Sequence, residues 1–87
     1  MTLYQMAKQL PEKYRKHLIE ENVIYKAIAK SDDAHFKMLV IYWENYFDTS
    51  LKVDTACNIC LNGLLNKFKM LEPYFVQIEK ESQLLEL

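Results

Sequence analysis

Residues 57–85 read CNICLNGLLNKFKMLEPYFVQIEKESQLL. Within this stretch Cys57, Leu61, Leu64, Phe68, Leu71, Phe75, Ile78, Ser82 and Leu85 follow one another at alternating steps of four and three. Such steps average about 3.5 residues, the period of an α-helix that keeps one face against a neighbouring surface. Pro73 falls inside the repeat without shifting its phase, on the side away from the seam, where a proline kink does least damage. One helix over residues 54–86 would be about 50 Å long at ~1.5 Å per residue. A compact domain of this size has a diameter of only roughly 31 Å. The expectation is therefore helices at 54–72 and 73–86, with the chain either folding back at Pro73 or projecting beyond the body. A projecting end would expose Phe75, Ile78, Leu84 and Leu85, which monomers in water avoid.

The rest of the chain agrees with an all-α reading. One glycine and two prolines among 87 residues are too few for an all-β fold, which needs a turn every ~8–12 residues. Thr2-Leu3-Tyr4-Gln5 has the form of a capping box, and Leu3, Met6, Ala7 and Leu10 follow it at helical spacing, predicting a helix over 3–10. Pro11 ends that helix or opens the next, expected over 11–30, whose pattern weakens at Glu20-Glu21-Asn22. Ser31-Asp32-Asp33 is a start signal for a central helix over 32–47. That helix has one apolar face of Phe36, Leu39, Val40, Trp43 and Phe47 and a second of Met38, Ile41, Tyr42 and Tyr46, the mark of a surrounded helix. Asp48-Thr49-Ser50 reads as a loop. The fold class is thus a small bundle of four or five helices in a single domain, 1–87, with a long C-terminal helix interrupted or kinked at Pro73.

Charge is uneven. Residues 1–30 carry six basic and three acidic residues, a balance of +3, and residues 31–87 carry five and nine, a balance of −4. Lys13, Arg15, Lys16 and His17, with Tyr14 among them, form the one basic cluster. It resembles a helix laid against phosphates, but the net charge of −1 gives no general nucleic-acid footprint. The longest wholly apolar run, Met38 to Trp43, is six residues, against the ~20 of a spanning helix. With no secretory signal visible, a cytoplasmic protein making no membrane contact is expected.

Cys57-Asn58-Ile59-Cys60 has the CxxC spacing. Structural zinc needs four ligands, and His17 and His35 are isolated from each other, so no metal is expected. No strand precedes Cys57 as a thioredoxin-like redox site requires, and its place on the seam reads as a small core residue. Asn58, Asn62 and Asn66 recur every four residues, either as hydrogen-bonding groups for a neighbour or as a wet face. Gly63 between them permits a close helix approach or weakens the helix. No nucleophile–base pair, phosphate loop or paired carboxylate site can be assembled. The reading is a non-catalytic, cofactor-free protein-interaction or assembly module whose partner is another copy of itself, a different protein, or both. Its candidate surface is Tyr74, Phe75, Ile78, Leu84 and Leu85. The alternative is a small nucleic-acid-binding regulator using Lys13, Arg15, Lys16 and His17.

Overall fold

The computed structural model describes residues 2–47, 54 and 56–85, and among them five α-helices and no strand. These are α1 (Leu3–Gln9), α2 (Glu12–Glu20), α3 (Val23–Lys26), α4 (Ala34–Tyr46) and α5 (Asn58–Leu85). The chain is an all-α bundle in which α5 is the spine and the shorter helices pack along one side of it.

Local chemistry sets the boundaries. The capping box at α1 is formed: the Gln5 amide donates to Thr2 Oγ1 at 3.1 Å and the Thr2 amide to Gln5 Oε1 at 2.9 Å. Leu10 is extended, as a residue before proline must be, and Pro11 then stands at the head of α2. The single helix expected over 11–30 is two. Asn22 adopts φ 53°, a left-handed conformation that asparagine tolerates better than most residues, and this divides α2 from the one-turn α3. Ala27 is extended and ends α3. Asp33, rather than Ser31, caps α4: its Oδ2 accepts from the Phe36 amide at 2.9 Å and from the Ile28 amide at 3.1 Å. Those amides, Phe36 first, hold the Asp33 carboxyl below its ordinary range. The expected loop at Asp48-Thr49-Ser50 lies outside the described residues.

Two expectations about the C-terminal third are corrected. The break between 72 and 73 is absent, for α5 runs through Pro73 for 28 residues. Pro73 is exposed, so the Lys69 carbonyl that it leaves without an amide partner lies on the solvent side of the helix. Nor is the segment beyond Pro73 uncovered along its length: Phe75 and Ile78 are buried, and of its large apolar residues only Leu84 and Leu85, in the last turn, are left exposed. Tyr4 donates its hydroxyl to Glu81 Oε2 at 2.7 Å, and Lys16 Nζ lies 3.8 Å from Glu79 Oε1, so α1 and α2 lie along the C-terminal half of α5. At about 1.5 Å per residue α5 is roughly 42 Å long. It draws the molecule out to 46 × 26 × 18 Å.

The core is the inner face of α5 (Leu61, Leu64, Leu65, Phe68, Leu71, Phe75 and Ile78) closed by Ala7, Leu10, Leu18, Val23, Ile24, Phe36 and Leu39. Phe68 meets the end of α4, with ring centroids 6.2 Å from Trp43 and 5.8 Å from Phe47. On α4 the second apolar face is only partly covered: Tyr42 is buried, but Ile41 points outward.

Candidate functional site

The five residues expected to form an outward apolar surface are separated by the fold. Phe75 and Ile78 are buried inside the chain, because they stand on the inner face of α5 in the half that α1 and α2 cover. They are core residues and not outward-facing. Tyr74 is half-buried, while Leu84 and Leu85 are exposed.

What the chain leaves uncovered is the opposite face of α5. Ile59, Gly63, Asn66, Met70, Pro73, Gln77, Lys80 and Leu84 are all exposed and repeat the four–three spacing, displaced by two residues from the inner seam. Two residues are 200° of helix, so this line runs almost diametrically opposite the core. It holds large apolar side chains at both ends and the middle: Ile59 is 85%, Met70 53% and Leu84 69% exposed. Its one charge is Lys80. Gly63 sits on it in helical backbone with φ negative, and a Cβ placed there would meet nothing within 4 Å. Neither backbone geometry nor packing within the chain requires glycine at this position. In the sequence this weaker repeat is masked by the stronger apolar one. The signal was the same spacing read from Ile59.

The basic cluster on α2 is largely engaged within the molecule. Arg15 is half-buried and donates to the Leu10 carbonyl, and Lys16 pairs with Glu12 at 3.5 Å and with Glu79 at 3.8 Å. Lys13 is exposed, with its ammonium 5.8 Å from the Tyr14 ring centroid. An open concavity of about 340 Å³ is lined by Lys13, Tyr14, Lys16, His17, Glu20 and Tyr42. Its floor belongs to a tyrosine cluster in which Tyr14 lies 4.9 Å from Tyr42 and 5.0 Å from Tyr46. Burial raises the Tyr42 hydroxyl above its ordinary value, and a hydrogen bond with Tyr14 raises that of Tyr46. The glutamates at and beside this hollow oppose an anion there.

Cys57 is not a core residue. It stands immediately before α5 and is partly exposed; Cys60, in the first turn, is exposed, and the two are joined by a disulfide. The seam loses its N-terminal member because nothing among the described residues covers that end of the helix deeply enough to bury it. Asn58, Asn62 and Asn66 are exposed, and Asn62 donates to the Asn58 carbonyl at 3.0 Å. Among the described residues no cluster of three or more His, Cys, Asp or Glu could hold a metal ion, and no helix is long and apolar enough to cross a membrane. Comparison with protein-family models, with curated proteins and with solved structures finds no match to this chain.

Proposed function

We propose that this chain is a non-catalytic assembly module that pairs with a second copy of itself through the outer face of α5. The observation that carries the reading is the self-complementarity of that face. Laid antiparallel about a two-fold axis between Met70 and Pro73, two copies set Ile59 against Leu84, Gly63 against Lys80, Asn66 against Gln77, and Met70 against Pro73. Apolar groups meet apolar groups at both ends and at the centre, and two amides face each other. The long lysine stem crosses the one residue without a side chain. A two-fold pairing of this kind closes on itself and leaves no further copy of the face exposed. Burying Ile59, Met70 or Leu84 is worth about 1.5–3 kcal/mol each, and six such side chains per pair exceed the lower range of the association cost, about 4 kcal/mol. Leu85 and Tyr74 flank the line and extend the contact.

Directed cross-linking tests the pairing. In a background of Cys57→Ser and Cys60→Ser, chains carrying Asn66→Cys are mixed with chains carrying Gln77→Cys and oxidised mildly. The expected product is almost wholly the disulfide-linked heterodimer, far above the twofold excess over each homodimer that random pairing gives. A statistical distribution of the three species, or an excess of homodimers, would contradict the antiparallel register. A nucleic-acid complex whose affinity falls steeply with salt and is lost in Lys13→Ala would instead favour a phosphate-binding role for α2.

A further inference from the structure

We propose that Cys57 and Cys60 are a redox-active pair that cycles between disulfide and dithiol by exchange with small thiols. This stands apart from self-association and does not depend on it. The two Cα atoms are 5.2 Å apart, within the range of a bonded pair, and the bond is formed. Its position argues against a stapling role. A ring closed over two intervening residues removes less chain entropy than any longer loop, and neither sulfur belongs to the core, which begins at Leu61. The fold therefore has little need of the bond, while Cys60 is exposed and Cys57 partly so.

The geometry also favours the reduced state of one sulfur. The Cys60 amide, one of the first of α5, donates to Cys57 Sγ at 3.2 Å. A thiolate at Cys57 would keep that bond and gain from the positive end of the helix. Described residues 56–66 hold no charged side chain, and the nearest acid, Asp54, accepts the Ala56 amide at 2.9 Å. The first turns of the helix itself thus carry no acidic side chain, and the like charge that a thiolate at Cys57 has beside it is Asp54, in the preceding turn.

Exchange runs in two steps. A small thiolate attacks the exposed Cys60 sulfur, the sulfur–sulfur bond breaks, and its electron pair goes to Cys57, leaving a mixed disulfide on Cys60. A second small thiolate then attacks the small-thiol sulfur of that mixed disulfide, and Cys60 leaves as a thiolate. Two thiols are oxidised to one small disulfide, the protein takes up two electrons, and the protons released by the thiols return to the cysteines. In the reverse direction Cys57 is the attacking sulfur.

The test equilibrates the full chain with reduced and oxidised glutathione at a series of ratios, quenches with acid, alkylates, and weighs the product. Complete and reversible conversion between no alkylation and double alkylation is expected, with the far-ultraviolet circular dichroism unchanged. A second arm uses Cys60→Ser. Its Cys57 should react with iodoacetamide near neutral pH about tenfold faster than the same cysteine in an unstructured peptide of residues 54–66. Three results would each overturn the proposal: no conversion at any ratio, loss of helicity on reduction, or a Cys57 no faster than the peptide.

Discussion

Glu72 is 9% exposed, on the inner face of α5 beside Phe68, Leu71 and Phe75, and its Oε2 has no hydrogen-bond partner among the described residues. Burial alone raises its carboxyl above the ordinary value. The unfolded chain therefore gives up this proton at lower pH than the folded one. Stability present below the ordinary carboxylate range is lost as pH rises through the raised value. Glu72→Met, of similar volume, is expected to stabilise the fold at neutral pH by about 1–3 kcal/mol, the usual cost of an unsatisfied buried polar group. The gain should shrink on acidification. Urea unfolding of both proteins at acid and neutral pH measures it, and a gain independent of pH would show that the carboxylate is not the cause. Asp33 has the opposite sign. Its lowered carboxyl contributes stability above the ordinary value that is lost as pH falls through the folded one.

At the scale of the element, α5 contains two helix breakers and is still unbroken. Pro73 and Gly63 both stand on the outer face, so the inner seam loses neither packing nor phase. Gly63→Ala should therefore add helix propensity without a clash, raising the stability of a dissociated chain by about 1 kcal/mol. Thermal unfolding in a Met70→Glu background isolates that effect, and no gain there would mean that the helix is already frayed at Gly63. The inner seam, the capping box and the weak point at Glu20-Glu21-Asn22 were legible in the chain because each is a local pattern with a local cause. Asn22 breaks its helix by a left-handed turn, a tertiary choice that propensity only hints at. The fate of the C-terminal half was not legible. The spacing of Phe75 and Ile78 marks an apolar face, but that α1 would return to cover it rests on packing between residues far apart in the chain, such as Ala7 and Leu10 in one core with Phe75 and Ile78, with Tyr4 meeting Glu81 across a separation of 77.

Taken whole, the molecule is one helix long and two layers thick, and each face of α5 has a separate consequence. The inner face is satisfied by the chain's own first helices, so the apolar surface expected at Phe75 and Ile78 is already occupied. The outer face is unoccupied in the isolated chain, and its pattern fits its own inverse. Cys57 and Cys60 lie at the N-terminal end of α5 but not on the outer line itself: Cys57 continues the inner seam, and Ile59 between them begins the outer one.

Solution mass tests this division of faces most directly. Light scattering on the native chain at high micromolar concentration is expected to give twice the 10.4 kDa chain mass, and Met70→Glu to give the single-chain mass with its helical signal intact. A native protein that stays at 10.4 kDa throughout, or a Met70→Glu variant that remains dimeric, would contradict the account.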